Sequence, residues 1–579
     1  MRRGFMLAVF ISLVAQAAYG PAAEPTRAMD ADEHVQDMRR EADKMAAKDA
    51  GEVGLQEAAK HLEAALDYLH REDIEELATG NPYLYGRGHD VRVDLAEVYS
   101  RMGEKQKALS LLESVQHFSW SPAVGAWLAK NDAFSNLRDE PRFQAVLATQ
   151  TLPDHIWNAG VIGTPYKDKL TTEERVAGLS LFWAEARQGF VYFDHVPDLS
   201  WDKVYLEFLP KVMAAQTTRD YYRVMMQLAP LLKDAHTNIY PPDELSDFFY
   251  ARPPISTIKI DSKVLIQWVG STSLSRRVHV GDEIVALDGM PIQEYAREYV
   301  EPFVSSSTSQ DRDLRMFTYQ LLSGRTDQSL QLLLRDKAGR ERTEVVARSG
   351  YSDVQERPQF QFRMLADEIA YIALDHFESD AGVKAFEAAL PDIMKAKALV
   401  IDVRRNGGGS TNYGLAVLSY LSKEPIYGSI SYRRGESSLD RARGTNRVAW
   451  TPLPDNGQPY RKPRDQIFTG PVAMLIGPRT FSAAEDFVVA YQSMKRGITL
   501  GEPTGGSTGQ PLSFGLPGGG SARICVKRDV YPDGTEFVGK GISPTIQVSL
   551  SVDDLRAGRD PVLERAVKEL RKGNAGSSR

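Results

Sequence analysis

Ser482 is the residue of this chain best placed to do chemistry, because it stands where a buried strand pattern gives way to a helix pattern. The apolar run 472–476 is followed by Gly477 and Pro478, which predicts a short strand and then a tight turn. Apolar residues recur at helical spacing after Ser482. A serine at a helix mouth is exposed for nucleophilic attack, and the free N–H groups there favour negative charge. The alternative is that Ser482 only caps the helix, with Glu485 completing a capping box.

Two other segments carry groups that such a nucleophile would use. Gly407, Gly408 and Gly409 come shortly after a buried strand predicted at 398–403, so they predict a sharp turn with free backbone N–H groups. The alternative is a plain strand-to-helix turn, and a phosphate-binding loop is disfavoured because its glycine and lysine patterns are absent. His236, at the end of a helical segment, could act as a base, although a lone histidine there is more often structural.

The elements that position these residues fall into several predicted domains, since 579 residues exceed what one core holds. A basic start, a short apolar segment and small residues predict a signal peptide over residues 1–23. A membrane anchor is the alternative, but the apolar segment is too short to span a bilayer. Residues 24–150 show helical periodicity with tetratricopeptide-like spacing, which indicates either a protein-docking surface or a spacer.

The rest of the chain divides into four predicted segments. Residues 165–250 form a helical cap, and residues 251–350 form a β domain whose turn at 280–292 matches that of a PDZ domain. PDZ domains bind an extended peptide by strand addition, although the domain could also be a spacer with an unused groove. Residues 351–560 form the core that contains Ser482, and residues 561–579 form a terminal helix and tail.

Composition limits the partners and the compartment. The net charge of −7 gives no basic footprint, so nucleic acid is not expected as a partner. Cys525 is the only cysteine, which excludes an internal disulfide and a lipoprotein-type cysteine. Together with the signal peptide, this predicts a periplasmic or secreted protein without a stable membrane anchor. No cluster of metal-ligating residues stands out, so neither a metal nor a cofactor is predicted.

Six short motifs occur in one order between residues 170 and 550: Asp234-x-His236-Thr237, the turn at 280–292, Ile401-Asp-x-Arg404-x-Asn406-x-Gly408-Gly409, Ser482-Ala-x-Glu485, Gly501-Glu-x-Thr504 and Gly539-x-Gly541-Ile-x-Pro544. With these motifs the chain resembles the S41 family of serine peptidases, the carboxy-terminal processing and tricorn-like proteases. The resemblance implies a multidomain α+β protein. Its parts would be tetratricopeptide-like helical repeats, a helical cap, a PDZ-like β domain and an α/β crotonase-like (ββα) catalytic core.

The family has two catalytic arrangements, and the resemblance favours one of them. One branch uses a Ser–Lys pair with the lysine in Thr-x-Gly-Lys-Gly, but Ser507 stands at the corresponding place here. The tricorn-like branch uses a histidine from the helical domain. The resemblance therefore implies that His236 is the general base for Ser482, with His376 as the rival base.

The resemblance also suggests the remaining site residues. The backbone N–H of Ala483 and one from the Gly407–Gly408 turn would form the oxyanion hole. Glu536 is the candidate for an orienting carboxylate, two residues before the expected position, which Val538 occupies. Glu485 is interpreted as a helix-start and packing residue.

These observations together predict an exported serine endopeptidase that acts on peptides or unfolded proteins through an acyl-enzyme. The tetratricopeptide-like repeats would hold a protein partner. The alternative is a catalytically inactive peptide- or lipid-binding scaffold on the same fold, since the retinoid-binding proteins of vertebrate eyes share this core.

Overall fold

The computed structural model describes residues 23–47, 50–80, 82–116, 122–149, 160–349, 358–445, 448–453, 459–460 and 464–576. The chain forms two compact units, Met1–Ala159 and Gly160–Arg579. The predicted signal peptide, apart from its last residue, lies outside the described residues. No helix of the described ranges is long and apolar enough to cross a membrane.

The described part of the first unit is helical. Small residues such as Ala58, Ala96 and Ala108 are buried between the helices with larger residues such as Leu62 and Leu109. The helical pattern predicted for residues 24–150 is confirmed, whereas its identification with tetratricopeptide repeats stays a prediction. The α-helices are Ala23–Met45, Glu52–Leu69, Glu72–Gly80, Pro82–Arg101, Lys105–Val115, Pro122–Lys130 and Pro141–Thr149.

The second unit mixes helices and sheets. Its α-helices are Thr172–Gly189, Trp201–Ala214, Thr218–Met225, Ser246–Phe249, Ile292–Tyr295, Ser309–Leu314, Ala381–Ile393, Thr411–Leu418, Ser438–Ala442, Ala483–Ser493, Val552–Ala557 and Pro561–Gly576. Its strands are β1 (Asn238–Tyr240), β2 (Ile255–Ile260), β3 (Lys263–Val269), β4 (Glu283–Leu287), β5 (Met290–Pro291), β6 (Leu330–Arg335), β7 (Glu341–Val346), β8 (Phe360–Leu365), β9 (Ile369–Leu374), β10 (Ala398–Asp402), β11 (Ile430–Gly435), β12 (Ala449–Pro452), β13 (Val472–Ile476), β14 (Ile498–Gly501), β15 (Pro511–Gly515), β16 (Ser521–Cys525), β17 (Arg528–Val530) and β18 (Ile546–Gln547).

The central sheet has six strands in the order β18-β14-β13-β10-β9-β8. Its strands pair in parallel except β8, which runs antiparallel to β9. Every residue of β9, β10 and β13 is buried, as expected for a parallel sheet covered on both faces. The strand predicted at 472–476 is confirmed residue for residue.

A separate antiparallel sheet, β2-β3-β4-β6-β7 with β5 on β4, lies within the segment predicted to be PDZ-like. Within it, β6 and β7 form a hairpin that pairs from Leu330 with Val346 to Arg335 with Glu341. This sheet encloses its own hydrophobic cluster. Its identity as a PDZ domain stays a prediction.

The helices after residue 170 share one hydrophobic core with the central sheet, since Phe182 and Tyr222 belong to the same buried cluster as Ile401 and Met474. A small sheet, β1-β16-β15, extends this junction, because β1 begins two residues after His236 in the chain and pairs antiparallel with β16. This pairing fixes the end of the helical segment, and with it His236, against the core. The mixed helix-and-sheet, multidomain architecture is confirmed. The names helical cap and crotonase-like core stay predictions.

Candidate active site

Ser482 lies at a sharp turn between β13 and the helix Ala483–Ser493. Its backbone has φ 58° and ψ −129°, a conformation that side-chain-bearing residues adopt only at a cost of about 1–3 kcal/mol. Its hydroxyl makes no capping hydrogen bond to the helix. The alternative interpretation of Ser482 as a simple cap is therefore wrong, and the turn instead presents the side chain outward from the helix mouth.

His236 contacts this hydroxyl. The Nε2 atom of His236 lies 3.1 Å from the Oγ of Ser482, although the two residues are 246 positions apart in the chain. The imidazole stacks on the ring of Phe481, with centroids 4.6 Å apart and planes inclined by 15°. Two residues before His236, the carboxylate of Asp234 accepts a hydrogen bond from the hydroxyl of Thr237, at 2.7 Å. The histidine is thus held in one orientation toward the serine.

The surroundings of His236 favour its neutral form. The side chain is only 3% exposed. Burial first, and then the positive charges of Arg523, Arg315 and Lys527, hold the pKa of His236 well below its ordinary value. The imidazole is therefore unprotonated near neutral pH, which is the state that accepts a proton.

The glycine turn packs directly against Ser482. Gly408 has φ +102°, and a Cβ added there would lie 2.7 Å from the Cβ of Ser482. The N–H of Gly408 already donates to the Oδ1 of Asn406, at 2.9 Å. By contrast, the N–H groups of Gly407 and Ala483 have no acceptor in the described part of the chain. Of the three predicted oxyanion-hole residues, Gly407 and Ala483 therefore each have a backbone N–H that can donate to an oxyanion. Gly408 instead lets the glycine turn approach Ser482 closely.

Ser507 lies on the other side of the imidazole, a position that the sequence does not predict for it. Its Oγ is 2.9 Å from the Nδ1 of His236, and its carbonyl oxygen accepts the N–H of Ser482 at 3.1 Å. The side chain of Ser507 is fully buried. The only signal in the sequence was that Ser507 replaces a lysine found in the Ser–Lys branch.

Glu485 holds the loop that carries Ser507. Its Oε2 accepts the N–H of Ser507 at 2.8 Å, and its Oε1 accepts the N–H of Gly506 at 2.8 Å and the hydroxyl of Thr504 at 2.5 Å. Burial raises the pKa of Glu485 to about 7 in spite of these hydrogen bonds, which lower it. Glu485 lies in the first turn of its helix and is fully buried, as the interpretation of a helix-start and packing residue requires, and its carboxylate also binds the loop.

The structure does not bring Glu536 or His376 into this arrangement. In the described part of the chain, the ion pairs of Glu536 go to Arg528 and to Lys540, the latter at 3.7 Å, and its pKa is lowered chiefly by Arg528. The Nδ1 atom of His376 lies 3.8 Å from the Oε2 atom of Glu378. The arrangement that is assembled consists of a strained serine, a neutral histidine, two uncommitted backbone donors and a buried second serine. Such a set can activate a hydroxyl for attack on a carbonyl carbon and can stabilise the resulting oxyanion.

Comparison with known proteins shows which protein family the chain is similar to. Residues 368–548 match the model described as Peptidase family S41. The carboxyl-terminal-processing peptidase 2, chloroplastic, of Arabidopsis thaliana is 26% identical over 179 residues, which are 31% of this chain and 31% of that protein. The carboxy-terminal-processing protease of Bartonella bacilliformis is 26% identical over 203 residues, 34% of this chain and 42% of that protein.

The similarity to these curated relatives thus covers less than half of their length. Among solved structures, mature CPAF complexed with lactacystin superposes with a TM-score of 0.54 at 14% identity. That match covers 69% of this chain and 98% of that one. At this identity the superposition supports the fold alone.

Proposed function

We propose that this member of peptidase family S41 is a serine peptidase that hydrolyses peptide bonds in peptides or unfolded proteins, with Ser482 as nucleophile and His236 as general base. The single observation that carries the proposal is the 3.1 Å contact between the Nε2 of His236 and the Oγ of Ser482 at a strained helix mouth. A structural serine would have no reason to be held in that backbone conformation with its hydroxyl on a buried imidazole.

In the proposed first step, His236 removes the hydroxyl proton as the Oγ of Ser482 attacks the carbonyl carbon of the substrate. The tetrahedral intermediate collapses, the protonated imidazole gives its proton to the leaving amine, and an acyl-enzyme remains. Water then attacks the acyl group, with the imidazole again acting first as base and then as acid. The low pKa of His236 suits this cycle because it keeps the resting base free of a proton.

The oxyanion would be held by the N–H groups of Ala483 and Gly407. Both groups lack an acceptor within the described residues, and each adjoins a residue of the strained junction between Ser482 and the glycine turn. Removing one donor of this kind costs about 3–4 kcal/mol of transition-state stabilisation. The Gly408 N–H is left out of the hole because Asn406 already occupies it, and Gly408 serves by letting the turn approach Ser482 closely.

The proposal extends to compartment and partners. The segment over residues 1–23 supports export to the periplasm or beyond. The antiparallel sheet β2-β3-β4-β6-β7 would act as a PDZ-like domain that presents substrate strands, and the helical first unit would act as a tetratricopeptide-like docking surface. Glu536 is not part of the proposed catalytic set, because its carboxylate is engaged by Arg528.

The test is to incubate the purified full-length protein with fluorescein-labelled casein and with a fluorescent fluorophosphonate. We expect wild type to release labelled fragments and to be labelled covalently, and Ser482→Ala to lose both reactions. Cleavage that persists in Ser482→Ala would refute the assignment. Binding of casein without cleavage or labelling of wild type would favour the inactive scaffold instead.

A further inference from the structure

We propose that Ser507 is the positioning residue of the catalytic histidine and that Glu485 holds it in place, so that a hydroxyl takes the role for which the sequence predicted a carboxylate. This inference rests on the proposed function. Its starting point is that the imidazole of His236 lies between two hydroxyls, Ser482 at 3.1 Å from Nε2 and Ser507 at 2.9 Å from Nδ1.

The chemistry decides which way the second hydrogen bond runs. Nε2 must carry no proton if it is to accept the one from Ser482, so the single proton of the neutral imidazole must sit on Nδ1. The Nδ1–H then donates to the Oγ of Ser507, which acts as acceptor. A proton on Nε2 instead would leave Ser482 without a base. The partner at Nδ1 therefore determines whether the resting site is competent.

Within the described part of the chain, the hydrogen bonds of the imidazole go to these two hydroxyls and to no carboxylate. The nearest acid in sequence, Asp234, bonds to Thr237. The predicted carboxylate, Glu536, bonds to Arg528. Ser507 is thus the group that occupies the position opposite the nucleophile.

The loop holds Ser507 with little freedom. Two backbone N–H groups and one hydroxyl from residues 504–507 converge on the carboxylate of Glu485, which is itself fully buried. From outside, the hydroxyl of Thr308 donates to the carbonyl of Gly505 at 2.9 Å, and the side-chain amide of Gln310 donates to the carbonyl of Thr504 at 2.9 Å. The loop is therefore fixed from both sides, as a positioning residue requires.

Ser507 also touches the nucleophile itself, because its carbonyl accepts the N–H of Ser482 at 3.1 Å. One residue thereby sets the orientation of the base through its side chain and the position of the nucleophile through its backbone. Replacing Ser507 by alanine removes the first link and keeps the second. That separation makes the side-chain role testable.

The experiment compares the rates of fluorophosphonate labelling of wild type, Ser507→Ala and Ser507→Thr. We expect Ser507→Ala to react about 100-fold more slowly, because the imidazole is no longer held in reach of the hydroxyl. Ser507→Thr keeps an acceptor oxygen and should remain within about tenfold of wild type. Ser513→Ala, on the exposed face of β15, is the matched control and should label like wild type.

Glu485→Gln tests the support of Ser507. An amide oxygen can still accept from Thr504 and Gly506, but the amide N–H₂ then faces the N–H of Ser507 and repels it. We expect labelling to slow by about tenfold or more, whereas Glu502→Gln, a partly buried glutamate near the same loop, should have no effect.

A second measurement does not depend on turnover. In a ¹⁵N-histidine NMR spectrum, with His236 assigned by difference from His236→Ala, the neutral imidazole should carry its proton on Nδ1, and this signal should change in Ser507→Ala. A proton on Nε2, or a signal unchanged in Ser507→Ala together with wild-type labelling rates, would overturn the inference. A wild-type protein that neither cleaves nor labels would instead refute the proposed function.

Discussion

Gly408→Ala should disable the site although it changes neither Ser482 nor His236. The added Cβ would lie 2.7 Å from the Cβ of Ser482, 2.9 Å from the carbonyl of Phe481 and 3.1 Å from the N of Ala483. Carbon atoms pack at about 3.5 Å or more, so Ser482 or the turn must move by about 0.8 Å. The φ of +102° adds backbone strain of about 1–3 kcal/mol for any residue with a side chain.

A misplacement of this size in a catalytic group costs about 100-fold in rate, which corresponds to about 2.7 kcal/mol of activation free energy. The assay is the second-order rate of fluorophosphonate labelling, measured beside the melting temperature to show that the variant is folded. Gly428→Ala is the control, because an added Cβ there meets no atom within 4 Å. A folded Gly408→Ala protein that labels at the wild-type rate would show that the turn does not constrain the nucleophile.

Three further predictions concern the other groups of the site. His236→Ala should lower the rate of fluorophosphonate labelling by about 10²–10⁴-fold, as expected for loss of a general base. His376→Ala should stay active. The reverse pattern would identify His376 as the base. Because the pKa of His236 lies below 6.5, kcat/KM for casein cleavage should decline only when the pH is lowered below 6.5. A decline that begins at a higher pH would contradict the buried neutral imidazole. The free energy of unfolding should depend on the same pKa shift. Below pH 6.5 His236 takes up a proton in the unfolded chain but not in the folded protein, so the free energy of unfolding decreases as the pH falls from 6.5 toward the pKa of the folded protein. Glu536→Gln should keep wild-type labelling, because its carboxylate serves Arg528; a loss of two orders of magnitude with the fold intact would restore it as an orienting residue.

The elements that the sequence predicted well are those with a local cause. β13 follows from a short apolar run with glycine and proline at both ends, so the sequence predicts its limits to the residue. The proximity of Ser482 and His236 came from a resemblance to a family, since nothing in the local pattern joins residues 246 positions apart.

The contacts at the site that the sequence does not predict also have a physical cause. Glu485 has the spacing of a capping box, but tertiary burial sends its carboxylate into the 504–507 loop instead of back to the helix mouth. Glu536 is predicted from its offset to a family motif, whereas in the structure an isolated bridge pairs it with Val530 and its carboxylate binds Arg528. The contact of Ser507 follows only from the structure, which places its Oγ 2.9 Å from the Nδ1 of His236, 271 residues away in the chain.

The left-handed backbone of Ser482 has a consequence for comparing inactive forms of the protein. Alanine at this position keeps a Cβ and therefore keeps the strain, so Ser482→Ala is a faithful reference for folding and substrate binding. Glycine would relieve the strain, and Ser482→Gly should melt at a higher temperature than Ser482→Ala. Glycine, which cannot react, would thus give the more stable protein at the start of this helix. The serine hydroxyl is kept there at a cost in folding stability.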